Sequence, residues 1–291
     1  MGSDAEKLGN FLPREADSLL SPHLLRGRSE LESFSRQNAQ TAYMGDNTLL
    51  CRVLGKYSMY TDTRDIGLTP HLALDGHWEA WVTLAMARLI KPDMRCIDVG
   101  ANYGYYSVLM GDGVGSDGLV VALEPNPHVA SLLKSTLHVN GLTDRVTVLE
   151  KAAYHVDEED VNFVLSQDFP MNGNIGISAP NDESLTVKTV TLDTLTRDWD
   201  RVDFVKIDAE GAEWGIWQGM SDTIDRNPDI TVIMEFNPSR HYDPEVFFDR
   251  IEAKGFSLQH IDFDSNIVPA ERAEIINSPK DWMLFLHRVQ E

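Results

Sequence analysis

Asp98, Gly100, Asn102 and Gly104 fall within one seven-residue stretch in which closely spaced glycines cut off the short apolar run Cys96–Val99 before the aromatic-rich Tyr105-Tyr106. That order reads as a strand, a tight loop and a helix start. Closely spaced glycines let bare backbone N–H groups and a helix N-terminus approach a ligand, so the stretch is expected to bind a nucleoside-containing cofactor. The spacing is G-x-x-x-G and not the G-x-G-x-x-G that fits a pyrophosphate. Twenty residues beyond Gly104, a second apolar run, Leu119–Leu123, ends in Glu124, an acid well placed to accept hydrogen bonds from a ribose diol. An adenosine without a pyrophosphate points to S-adenosylmethionine.

These residues need elements to hold them, and from Arg95 onward strand and helix patterns alternate. The expected strands are Cys96–Val99, Leu119–Leu123, Val146–Leu149, Phe204–Ile207, Ile230–Phe236, Ser257–Asp262 and Met283–Leu286. One intervening helix opens at Pro127 and closes at Asn140-Gly141; another has Asp243 as N-cap, Pro244 in its first turn and Gly255 past its end. Such alternation predicts an α/β chain with a mostly parallel sheet covered by helices on both faces. Upstream, Trp78, Trp81, Val82, Ala85 and Leu89 recur at helical spacing until Pro92. Thr48–Leu54 and Tyr57–Thr61 flank Gly55-Lys56 as a two-residue hairpin, and Ser29 with Glu32 reads as a capping box on a short helix. Residues 1–75 therefore form an N-terminal extension, a lid or a dimer element, and 76–291 the main domain. The long connection before Phe204 carries two β-like runs, Val161–Leu165 and Leu185–Val190, around the turn-rich Asn172–Gly176, and reads as a substrate loop.

Composition narrows the partners. A net charge of −21 with no basic block argues against nucleic acid. No run reaches the roughly 20 apolar residues of a spanning helix, and no leader-like apolar segment opens the chain, so a cytoplasmic location and no integral membrane segment are expected. The two cysteines, Cys51 and Cys96, do not suggest a disulfide framework.

Four motifs, in order, resemble the FkbM-type methyltransferases: Asp98-Val99-Gly100-Ala101-Asn102-x-Gly104, Glu124-Pro125-Asn126-Pro127, Lys206-Ile207-Asp208-Ala209-Glu210-Gly211-x-Glu213 and Glu235-Phe236-Asn237-Pro238. Gly76-His77-Trp78-Glu79 and Asn140-Gly141 are similar to that family as well. The resemblance covers residues 45–291. It implies a Rossmann-like methyltransferase fold, a seven-stranded sheet whose last strand, Met283–Leu286, lies antiparallel. It implies S-adenosylmethionine as cofactor, held by Asp98, Gly100, Ala101, Asn102, Gly104, Glu124, Pro125 and Asn126, with Glu79 as a further contact. The family mostly methylates hydroxyl oxygens, so the acceptor is expected to be a small molecule or a sugar- or polyketide-like hydroxyl. A nicotinamide-dependent oxidoreductase and a non-catalytic protein of the same fold stand as alternatives.

Methyl transfer to an alcohol is an in-line displacement that needs close alignment and removal of the hydroxyl proton. Asp208 and Glu210 are the candidate bases, with His241 behind them. Asp208, Glu210 and Glu235 could alternatively hold a divalent ion, although no metal is expected. Lys206 and Asp208, two apart on a strand, share a face. Lys206 is expected to be buried and paired with Glu235 or Asp98. Asp98, at a strand end, is expected half-exposed, ordering the loop or reaching the cofactor's ammonium group.

Overall fold

The computed structural model describes residue 20 and residues 26–165, 173–176, 183–240 and 242–288. It opens with helix α1 (Arg28–Asn38) and strands β1 (Gln40–Gly45), β2 (Thr48–Val53) and β3 (Tyr57–Asp62), which form an antiparallel three-stranded sheet. Two short departures from the sequence reading occur here. Val53 pairs with Tyr57, so the hairpin loop has three residues, Leu54-Gly55-Lys56, with Leu54 and Gly55 at positive φ. Ser29 lies inside α1, whose N-cap is Gly27, and Glu32 pairs with Arg28 one turn away, so no capping box forms.

Helices α2 (Leu68–Leu74) and α3 (Ala80–Leu89) lead into the main sheet. There follow β4 (Arg95–Val99), α4 (Tyr105–Gly113), β5 (Leu119–Leu123), α5 (Pro127–Val139) and β6 (Val146–Leu149). Asn126 caps α5, accepting from the N–H groups of His128 and Val129, and Gly141 follows its end at φ +68°. After the insertion, the chain returns through α6 (Leu192–Leu195), β11 (Phe204–Ile207), α7 (Glu213–Gln218), α8 (Ser221–Arg226) and β12 (Thr231–Phe236). It closes with α9 (Pro244–Ala253), β13 (Ser257–Ile261), β14 (Ile267–Pro269), α10 (Arg272–Ile276) and β15 (Trp282–His287).

The main sheet has the order β14-β13-β15-β12-β11-β4-β5-β6. It is eight-stranded, where seven strands were expected. The extra strand is the three-residue β14, paired antiparallel with β13 at the sheet edge. As expected, β15 runs antiparallel to both of its neighbours, while β12-β11-β4-β5-β6 are parallel. Alternate residues of the central strands feed two cores. Cys96, Val120 and Ala122 pack with α3, α4 and α5 on one face; Ile97, Val99, Val121 and Leu123 pack with α7, α8 and α9 on the other. The Rossmann-like class is thus a consequence of strands that are apolar on both faces.

Between β6 and α6 the insertion builds its own sheet from β7 (Ala152–Ala153), β8 (Asp160–Leu165), β9 (Gly173–Ile175) and β10 (Glu183–Val190), in the order β7-β10-β8-β9. Of the expected turn at 172–176, Asn172 lies outside the described residues; Gly173, Asn174 and Ile175 form β9. The N-terminal sheet packs on α5, where the Asn140 side chain bonds both the N–H and the carbonyl of Ser58 and Thr136 accepts from the N–H of Tyr60.

Candidate active site

The strand order reverses direction around β4, with β5 and β6 on one side and β11 and β12 on the other. In open parallel sheets this switch point opens a crevice at the carboxyl ends of the strands. A cavity of about 300 Å³ lies there, at the lower end of the roughly 300–1,000 Å³ typical of small-molecule sites.

Gly100 makes the loop after β4 possible. Its φ is +76°, and a Cβ there would lie 1.8 Å from the carbonyl oxygen of Asp208, so any side chain would push the loops after β4 and β11 apart. Glu124 projects from the end of β5, nearly buried. Its Oε2 accepts from the N–H of Asn102 and its Oε1 from the N–H of Asn126, each at 2.9 Å. Burial outweighs these bonds and pushes its pKa up to about 7.

Across the crevice, Asp208, Glu210 and Glu235 each place a carboxylate oxygen within 4.8 Å of the others. Two cations balance them, Lys206 buried and Arg240 partly buried. Lys206, 1% exposed, donates to Asp208 Oδ2 at 3.1 Å and stands 4.6 Å from the centre of the Tyr106 ring. Burial opposes its charge, but Asp208, Asp98 and Glu79 together hold the ammonium above its usual range. The expected partner Glu235 is instead bound by Arg240, which also bonds Glu213 and reaches Glu210 at 3.3 Å. Burial, then Asp208, still push Glu235 up. The trio has the oxygen donors a divalent ion would need.

The structure separates the expected cofactor residues into two groups. Gly100, Ala101, Asn102, Glu124, Pro125 and Glu79 line the cavity together with Asp208 and Glu210. Asp98, Gly104 and Asn126 stand behind the wall. Asp98 is fully buried where half-exposure was expected; its Oδ2 accepts from the Ser107 hydroxyl at 2.6 Å and its Oδ1 has no hydrogen-bond partner among the described residues. The strand end is covered because Lys206 is its register partner on β11 and Ser107 comes from α4. Gly104 starts α4 at φ +93°, with Leu133 of α5 where a Cβ would sit. His241 lies outside the described residues.

Gly67 and Leu68, at the start of α2, had no sequence signal as wall residues, whereas Phe163, Gly173 and Ile175 come from the insertion that the sequence marks as a substrate loop. Three non-glycine wall residues adopt left-handed backbone, Glu79 at φ 34°, Asn102 at φ 50° and Glu210 at φ 50°. Strain of this kind gathers at functional sites.

A parallel sheet with a glycine turn after its central strand and an acid closing the next is a Rossmann-like frame for a nucleoside-containing cofactor, the frame on which S-adenosylmethionine-dependent methyltransferases are built. Residues 98–263 match the family model described as the methyltransferase FkbM domain, and the chain belongs to that family. Comparison with curated proteins gives no match. Among solved structures, the chain is similar to a SAM-dependent O-methyltransferase from Thermotoga maritima, at 15% identity over 73% of this chain and 65% of that one, TM-score 0.39. It is similar to an O-methyltransferase from Bacillus cereus in complex with SAH, at 17% identity, 77% and 83% coverage and TM-score 0.40. A methyltransferase FkbM from Methylobacillus flagellatus shares 17% identity over 67% of this chain and 44% of that one, TM-score 0.43. The chain thus spans less than two thirds of the Thermotoga protein and under half of the Methylobacillus one.

Proposed function

We propose that the protein methylates a hydroxyl oxygen on a small or carbohydrate-like acceptor. The observation that carries this reading is one cavity with a ribose-type acid, Glu124, at one end and the converging Asp208, Glu210 and Glu235 at the other. Gly100, Ala101, Asn102, Glu124 and Pro125 would hold the cofactor, with Asp98, Gly104 and Asn126 bracing that cradle from behind. The bound sulfonium supplies an electrophilic methyl group. Asp208 or Glu210 accepts the hydroxyl proton; the Lys206 ion pair fixes Asp208 in place, and Arg240 tethers Glu210. Residues 76–291 act as the methyltransferase domain in this reading. Residues 1–75 serve as a lid, supported by Gly67 and Leu68 in the cavity wall. The expected setting is the cytoplasm; among the described residues no helix is long and apolar enough to cross a membrane.

A thermal-shift panel with S-adenosylhomocysteine, NAD and ATP tests the cofactor site, since a ligand that binds the folded state raises its melting temperature. Stabilisation by S-adenosylhomocysteine alone is expected, and by NAD alone would overturn the reading. Transfer of labelled methyl groups to a panel of polyols, phenols and amines then tests the attacked atom. Hydroxyl compounds should be labelled, with a loss of about 100-fold in Asp208→Asn or Glu210→Gln, the size of a general-base contribution. Labelling confined to amines would remove the hydroxyl assignment.

A further inference from the structure

Four carboxylates line the cavity away from Glu124: Glu79, Asp208, Glu210 and Glu235. Three of them have a cation, Asp208 through Lys206 and the two glutamates through Arg240. Glu79 forms no ion pair among the described residues. It receives the Tyr106 hydroxyl at 2.6 Å and is held just before α3 in left-handed backbone, which a glutamate does not favour. Burial, then the charge of Asp208, push its pKa up to about 7. A carboxylate withdrawn from water costs free energy that the charge of Lys206 offsets only in part, and a cation entering the cavity would offset more of it.

The cofactor brings such a cation. S-adenosylmethionine carries a sulfonium on the 5′ carbon of its ribose, and S-adenosylhomocysteine carries a neutral thioether at the same place. Only β4 separates the strand of Glu124 from the strand of Asp208, two spacings or roughly 10 Å. A ribose held at Glu124 therefore directs its 5′ substituent across β4, toward the side where Glu79 and Asp208 stand. During transfer the carbon–sulfur bond breaks, its electron pair stays on sulfur, and the charge leaves the cofactor.

We propose that Glu79 recognises the positive charge of the methyl donor, so that this site holds S-adenosylmethionine more tightly than the demethylated product. The proposal rests on the cofactor site described above and adds discrimination between donor and product. Once the methyl has gone, the product loses its partner on Glu79, which favours its release.

Calorimetric titration tests this without any acceptor. On the wild-type chain, S-adenosylmethionine and sinefungin, whose ammonium-bearing carbon replaces the sulfonium, should both bind about tenfold more tightly than S-adenosylhomocysteine, the range of a charge-assisted contact. Glu79→Gln should weaken both cationic ligands by about tenfold and leave S-adenosylhomocysteine within about twofold, while Glu79→Asp keeps most of the preference. Equal losses for all three ligands in Glu79→Gln, or a wild-type chain that binds the product as tightly as the donor, would overturn the proposal alone. Should Glu79→Gln not fold, the wild-type comparison and Glu79→Asp still decide. No binding of any of the three by the wild-type chain would overturn the proposal together with the site reading beneath it.

Discussion

Glu124 illustrates how a single side chain can serve the scaffold and the ligand together. Its two oxygens brace the loop after β4 and the start of α5 through the N–H groups of Asn102 and Asn126, and each oxygen keeps a lone pair for a ribose hydroxyl. Glu124→Ala should weaken S-adenosylhomocysteine binding by about tenfold or more, as loss of a charge-assisted pair does; unchanged affinity in a calorimetric titration would remove the ribose role. Gly100→Ala should be worse, because its Cβ meets the carbonyl of Asp208 at 1.8 Å and no rotamer can relieve a backbone clash. The expected result is a lower melting temperature and loss of the S-adenosylhomocysteine shift, and a variant with wild-type values in both would show that the two loops separate freely. Gly100 and Glu124 were legible in sequence because their roles follow from strand-end position. Arg240 was not: its four-way contact with Glu210, Glu213, Glu235 and Asp281 joins residues from three separate segments.

At the scale of elements, local chemistry reads well and edge pairing does not. Asn126 and Asp243 cap their helices by accepting two N–H groups each, and of the two the sequence marked Asp243, before Pro244, as a cap. Asp243→Ala should cost about 1 kcal/mol in a denaturant titration and leave S-adenosylhomocysteine affinity unchanged, since α9 lies away from the cavity wall. Gly104→Ala combines a left-handed φ of +93° with a Cβ placed 2.2 Å from Leu133 Cδ1. Its expected cost is about 1–3 kcal/mol, read as a lower denaturation midpoint; wild-type stability would mean that Leu133 yields without strain. The short strands β1, β9 and β14 went unread for a physical reason: an edge strand of three to six residues needs no apolar alternation. The capping box at Ser29 failed for another, because Arg28 competes for Glu32 from the same helix turn.

Over the whole molecule, the acids of the cavity bias stability against alkaline pH. Glu79 and Glu124 hold their protons in the folded chain up to about pH 7, against an ordinary 4.5. Between those values the folded state binds more protons than the unfolded, so stability falls as pH rises. Asp62 acts at the other end: burial works upward, but Arg64 and His128 bring it down to about 2 from 3.8, so its contribution is present above the ordinary value and lost as pH falls toward 2. The melting temperature of the ligand-free chain should therefore be higher at about pH 5 than at about pH 8, measured by calorimetry at constant ionic strength; a flat or rising profile would contradict the buried-acid account. The alternation of apolar strands and capped helices, the glycine turn after β4 and the acid after β5 are all written in neighbouring residues, so the fold class, the family and the methyl donor could be read from sequence. Which carboxylates face the cavity, which cation pairs with each, and that Glu79 forms no ion pair among the described residues were decided only when β4, β11, β12 and the segment before α3 came together. Pairing among buried charges depends on distances between chain segments far apart in sequence, and no local pattern encodes those distances.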